Sequence, residues 1–229
     1  MQVIDFGRPV GKTHPPFIIA AFDCRELATF ARALAAIDAA ANSHCDAIKL
    51  ARMPWSWSSR LYAHAERRGI AMLALALDEA AVTRLDWLGA PALYLVYDWS
   101  DLELVARAAR TGKPIVLQVG TASAAELAEV VATARENGTG GIALVQSVID
   151  LELDGLDSLR GHGAVVGISE RSLGPAIALA AISRGASIVE KRLALGRDGS
   201  RLMPEVASIV RDCELTWASL ATDRRWVFN

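Results

Sequence analysis

No apolar run in the 229 residues reaches the ~18 that a membrane span needs. The chain opens Met-Gln-Val-Ile-Asp with charges at Asp5 and Arg8, where a secretory leader would carry an apolar segment. Cysteine is scarce: Cys24, Cys45 and Cys213 lie far apart, with neither the paired spacing of a zinc site nor the density of a disulfide scaffold. A reducing cytoplasm is therefore the expected setting. An excess of one charge is lacking too. Lys and Arg number 24 against 26 Asp and Glu, for a net charge of −2, and no basic face suggests nucleic acid. Internal repeats, low-complexity segments and linkers are absent. Gly7 to Thr13 looks like a phosphate loop, but Phe6 stands where its first glycine belongs. His14-Pro15-Pro16 follows in place of the helix whose N-terminus would hold phosphate.

What remains is ordinary for a soluble globular chain, 52% hydrophobic and 22% charged. After a short extended pair around Phe6-Gly7-Arg8-Pro9, brief apolar runs alternate with amphipathic stretches. The strands expected are Phe17–Phe22, Ala47–Leu50, Ala71–Leu77, Ala92–Val96, Ile115–Val119, Gly141–Val145, Ala164–Ile168 and Ile188–Lys191. The helices expected are Glu26–Ala41, Ser58–Arg68, Glu79–Leu88, Leu102–Thr111, Ala124–Asn137, Leu156–Leu159, Pro175–Arg184 and Met203–Ser219. Strands that are apolar throughout are buried on both faces. Eight of them, each followed by a helix, predict a closed α/β structure. The expectation is a hairpin over residues 1–16 and a single (β/α)8 TIM barrel over 17–229.

Two segments carry the chemistry. Val165-Val166-Gly167-Ile168-Ser169-Glu170-Arg171-Ser172-Leu173-Gly174 and Ser187-Ile188-Val189-Glu190-Lys191-Arg192 each run from apolar to charged. In parallel α/β folds the carboxyl ends of strands face the site.

These segments resemble the last two strands of the sialic acid synthase family, phosphoenolpyruvate-dependent enzymes that condense the enol with an amino sugar on a (β/α)8 barrel. The likeness extends over most of the chain, through His14-Pro-Pro-Phe-Ile-Ile-Ala20, Asp46-Ala-Ile-Lys49, Gly69-Ile70, Asp78 to Val82, Thr111 to Leu117 and Gly185 to Lys191. Ala21 and Lys49 are 28 residues apart, the spacing expected between the family's first-strand glutamate and strand-two lysine. The family's segments end in Ser-Asp-His-Thr-Leu-Gly and Glu-Lys-His, and the two histidines hold a divalent metal. Here both positions are arginine, which has no lone pair to give and does not lose its proton. The resemblance therefore implies a lost metal site and no cofactor.

Other functional positions also differ. The first-strand glutamate falls on Ala21, Ser-Thr-Pro of strand three on Ala74-Leu75-Ala76, and the strand-four lysine on Tyr94. The Ser-Thr-Gly of strand five falls on Gln118-Val119-Gly120, and the histidine and cysteine ending strand six fall on Gln146 and Ser147. The long excursion after strand two shrinks to Ala51 through Trp57, and the C-terminal antifreeze-like domain has no counterpart before Asn229.

No residue stands out as catalytic. The ligand-binding candidates are Lys49, Ser169, Glu170, Arg171, Glu190, Lys191, Arg192, Gln118, Tyr94 and Trp55. Lys49 either holds an anion or pairs with a carboxylate such as Glu190. Arg171 and Arg192 either recognise carboxylate or phosphate, or plug the old cavity by pairing with Glu170 or Glu190. Tyr94, Tyr97, Asp98 and Trp99 crowd the end of strand four. Trp55 and Trp57 could stack on a sugar or cap the barrel. His14, His44, His64 and His162 are dispersed, with no carboxylate at a useful spacing. The expected ligand is a small anion, a sugar acid or phosphate, with neither nucleic acid nor membrane as partner and homodimerisation left open. The alternatives are a divergent metal-independent enzyme and a non-catalytic binding or scaffold protein.

Overall fold

The computed structural model describes residues 2–96, 101–120, 122–148, 153–172, 174–193 and 203–226. The hairpin is present, β1 (Ile4–Asp5) pairing antiparallel with β2 (Pro9–Val10). Eight parallel strands follow: β3 (Phe17–Asp23), β4 (Ala47–Ala51), β5 (Ala71–Ala74), β6 (Leu93–Val96), β7 (Ile115–Val119), β8 (Ile142–Ser147), β9 (Val165–Glu170) and β10 (Ile188–Arg192). Their order is β5-β4-β3-β10-β9-β8-β7-β6. A parallel bridge from Leu75 to Tyr94 and an Ala76 N–H donated to the Tyr94 carbonyl at 2.8 Å close β5 onto β6. The result is the expected (β/α)8 barrel.

The helices are α1 (Cys24–Leu27), α2 (Phe30–Asn42), α3 (Ser58–Arg67), α4 (Glu79–Trp87), α5 (Leu102–Ala109), α6 (Ala124–Glu136), α7 (Gly155–Arg160), α8 (Ala176–Ser183) and α9 (Met203–Trp226). The continuous helix expected over Glu26–Ala41 is in fact two. Ala28 turns left-handed at φ 62°, and Thr29 restarts the chain by accepting the Arg32 N–H at 3.3 Å. A threonine hydroxyl competes with helix continuation and favours an N-cap. Strand β5 ends at Ala74 instead of Leu77, because the chain turns toward Asp78, whose carboxylate caps α4 through the Ala81 N–H. α9 runs on to Trp226, beyond the expected Ser219. Tyr97, Asp98, Trp99 and Leu173 lie outside the described residues.

Burial separates two apolar layers. Phe17, Ile19, Ala47, Leu73, Tyr94, Val116, Val145, Val165 and Ile188 pack together inside the barrel with Ile4, Phe6 and Val10 of the hairpin, which seals the N-terminal end. The alternate residues of the same strands, such as Ile18, Ile48 and Val189, pack outward against the helices. Arg8 fastens the hairpin. It grips Asp46 through two N–H groups at 2.6 and 2.7 Å and donates to the carbonyls of Pro15 and Pro16, while Asp46 also accepts the Ile18 N–H. At Gly167 the strands approach so closely that a Cβ would lie 2.5 Å from Ile188 Cβ.

Candidate functional site

Alternation along each strand decides which candidates meet. With Val165, Ile188, Ala47 and Val116 facing inward, so do Ser169, Glu190, Lys49 and Gln118, together with Arg171 and Arg192 beyond them. Of these, Lys49, Gln118, Arg171 and Arg192 line a cleft of about 590 Å3 at the carboxyl end of the barrel, together with Ala21, Leu75 and Lys191 among others. That size and place suit a small ligand.

The cleft floor is a buried polar cluster. Lys49 Nζ donates to Glu190 Oε1 at 2.6 Å, and the Ser169 hydroxyl donates to the same oxygen at 2.7 Å. Lys49 Nζ also sits 4.0 Å from the centre of the Tyr94 ring. Glu190 and Tyr94 are fully buried, and among the described residues neither Glu190 Oε2 nor the Tyr94 hydroxyl has a hydrogen-bond partner within 3.5 Å. Burial lowers the Lys49 pKa. The Glu190 charge and hydrogen bond oppose that shift, and Arg192 adds to it. Burial raises the Tyr94 hydroxyl well above its ordinary value, and the Glu190 charge raises it further. The Tyr94 ring packs against Lys49 at this floor.

Glu170 and Lys191 fall on the opposite face of their strands. They form a second buried ion pair toward the helices, where Lys191 also donates to the Gly174 carbonyl at 2.8 Å and Glu170 Oε2 accepts the Ser172 N–H at 2.5 Å. Glu170 and Glu190, the carboxylates expected to pair with the arginines, are thus taken by lysines. Among the described residues, Arg171 and Arg192 have no hydrogen-bond or ion-pair partner, and both are exposed to the cleft. Gln118 donates to the Ser147 hydroxyl at 2.7 Å, joining two further inward side chains. Gln146, by contrast, lies against Gly155 of α7.

Trp55 stands apart from this cleft. It borders a smaller depression with Leu50, Met53 and Leu77, beneath the Arg84 guanidinium at 5.0 Å. Trp57 packs edge-on against Phe30. His64, expected to lack a carboxylate, does have one: its Nε2 lies 2.8 Å from Asp38 across the α2–α3 packing, 26 residues away in sequence. No group of three or more His, Cys, Asp or Glu side chains converges among the described residues.

Residues that sequence reasoning missed complete the rim. Arg52, with a left-handed φ of 53°, pairs with Asp23, the residue that ends β3 and caps α1. The exposed carboxylates Glu26 and Glu205 also border the cleft. Asp23 directly after an apolar strand was a legible signal, whereas the other three depend on how loops and α9 fold over the barrel.

The NeuB family matches residues 24–209. Pseudaminic acid synthase of Helicobacter pylori is 27% identical over 156 residues, covering 64% of this chain and 46% of that protein. The chain spans less than half the length of several curated relatives it matches. The crystal structure of the spore coat polysaccharide biosynthesis protein SpsE from Bacillus subtilis superposes with a TM-score of 0.86 at 23% identity, over 97% of this chain and 74% of that one. The N-acetylneuraminic acid synthetase of Leptospira borgpetersenii, in complex with citrate, gives 0.83 at 23% identity, over 96% and 90%. At such identities these likenesses concern the fold. With its barrel closed and more than half of its length matched, this chain belongs to the NeuB family, that of the sialic acid synthases.

Proposed function

We propose that this barrel binds a small anion of the sugar-acid or phosphate class through Arg171 and Arg192 and does not carry out the metal-dependent condensation of its family. One observation carries the reading. Among the described residues the two arginines, at the carboxyl ends of adjacent strands, have no ion-pair partner, because Lys49 and Lys191 already pair with Glu190 and Glu170. Guanidinium groups match carboxylate and phosphate geometry in two-pronged fashion. The exposed Glu26 and Glu205 border the cleft at the rim.

A divalent metal does not fit the donors present. The two positions where the resemblance calls for imidazole carry groups without a lone pair, and like charge repels a cation. Ala21 supplies no carboxylate, and the hydroxyl donors expected on strand three are Ala74 and Leu75. The reading is thus of sugar-acid recognition on an inherited scaffold, in keeping with relatives named for sialic and pseudaminic acid synthesis.

Thermal unfolding tests it with citrate, phosphoenolpyruvate and N-acetylneuraminic acid as probes. A ligand present at a hundredfold its Kd stabilises by about 2.7 kcal/mol, a rise of roughly 5–10 °C for a chain of this size. The rise should vanish in Arg171→Ala and in Arg192→Ala. No shift with any of the three anions, or turnover of phosphoenolpyruvate with N-acetylmannosamine in the presence of manganese, overturns the proposal.

A further inference from the structure

The position of Lys49 suits an amine that reacts. It lies inside the cleft, and its Nζ reaches Glu190 across the inner face of β3. Register places Arg192 beside Ala21 and Ala21 beside Lys49, so the arginine and the lysine flank one small residue on a single row. Arg171 follows one step beyond the Lys191–Glu170 pair. A small molecule whose carboxylate rests on the arginines would therefore share the cleft with Lys49, which the Arg192 charge already reaches.

From this juxtaposition we propose that Lys49 forms an imine with a 2-oxo acid whose carboxylate is held by Arg171 and Arg192. The inference rests on the anion-binding reading above and names the substrate class for that same cleft.

The atoms present can complete the step. The resting ammonium of Lys49 passes one proton to Glu190 across the 2.6 Å contact from Nζ to Oε1. The neutral amine then adds to the ketone carbon. A C–N bond forms, the carbonyl π pair moves to oxygen, and that oxygen takes the proton back from Glu190. A second proton, from nitrogen, completes the leaving water as the nitrogen lone pair closes the C=N bond. The product is an iminium opposite the Glu190 carboxylate plus one water, so charge and protons balance with no added oxidant or reductant. Burial favours the neutral amine required for attack, which is how lysines in apolar pockets become nucleophiles. The Tyr94 ring and Glu190 both favour the charged form, so they hold the ammonium in place before reaction and the iminium after it.

The chain offers a clean background, because it has only four lysines: Lys12, Lys49, Lys113 and Lys191. Lys191 borders the same cleft but is held by Glu170 and the Gly174 carbonyl. The test incubates the full chain with pyruvate and sodium borohydride, followed by intact mass and peptide mapping. The expected result is one added pyruvate less one water plus two hydrogens, located on Lys49, and roughly tenfold less of it in Arg171→Ala or Arg192→Ala. Mapping on the unaltered chain needs no lysine variant that could fail to fold. Lys49→Arg, which preserves a cation for Glu190, should abolish the adduct. No adduct, or one found on Lys12, Lys113 or Lys191 at levels equal to Lys49, overturns the imine. If citrate and pyruvate still raise the Tm in an arginine-dependent way, the anion reading survives that failure. If they do not, both fall.

Discussion

Replacing Lys49 with methionine isolates what the inner ion pair contributes. Glu190 is fully buried, and its Oε1 accepts from Lys49 at 2.6 Å and from Ser169 at 2.7 Å, so Lys49→Met leaves an ionised carboxylate with one neutral donor. Removing one member of a buried pair costs about 3–5 kcal/mol. At roughly 2–4 °C per kcal/mol for a chain of this length, the Tm should fall by about 6–20 °C. Lys49→Met/Glu190→Gln removes the stranded charge and keeps an acceptor for Ser169. It should recover most of the loss, because replacing both partners is close to neutral. Urea unfolding followed by circular dichroism measures both variants. A single variant that loses under about 1 kcal/mol at neutral pH, or that is no worse than the double, refutes the claim that this pair is dry.

Other consequences can be measured on the same protein. Arg8→Ala removes a two-pronged contact to Asp46 and three carbonyl contacts, so it should cost about 1–3 kcal/mol by urea titration and expose the hairpin to protease first. Gly167→Ala places a methyl 2.5 Å from Ile188 Cβ, which should cost about 1–3 kcal/mol and weaken citrate binding, since β9 and β10 must move apart beneath Ser169 and Glu190. The thiols of Cys24, Cys45 and Cys213 are raised by burial to about 11, 12 and 12 from 9.0. A raised acid favours folding below its unfolded pKa and loses that contribution as pH climbs through the folded one, so stability should decline above about pH 9. A thiol reagent should accordingly find all three cysteines slow in the native state and fast in urea.

The barrel was legible because continuous apolar strands alternating with amphipathic helices leave few other ways to bury so much surface. Strand ends were less so. The apolar run Ala71–Leu77 reads as one strand, yet Asp78 captures the next helix start and cuts it short at Ala74. The break at Ala28 lay hidden in an alanine-rich stretch where propensity favours helix, and the hydroxyl of Thr29 prevailed locally. At the site, Arg171 and Arg192 could be found because they terminate apolar runs. Their partners could not, since Lys49 meets Glu190 across 141 residues of sequence. A signal was nonetheless available. Period-two counting from Ile188 sends Glu190 inward and Lys191 outward, which divides the charged candidates into the two lysine–carboxylate pairs observed and leaves the arginines over.

Ala21 explains how that division is possible. Neighbouring strands lie about 4.8 Å apart, so β4 and β10, separated by β3, are roughly 10 Å apart. Lys49 and Glu190 nevertheless touch, which requires a small side chain on the intervening strand, and register puts Ala21 between Lys49 and Arg192. Ala21→Glu would insert a carboxylate within reach of both cations. It would compete with Glu190 for Lys49 and neutralise Arg192, so anion affinity should fall about tenfold or more, the loss of one charged contact. Ala21→Gln occupies the same space without the charge. If crowding alone mattered, both variants would lose citrate stabilisation equally. If charge decides, glutamine retains most of it and glutamate does not. Equal, undiminished citrate shifts in both variants would show that the anion never approaches this row, and the assignment of Arg192 to ligand binding would fail.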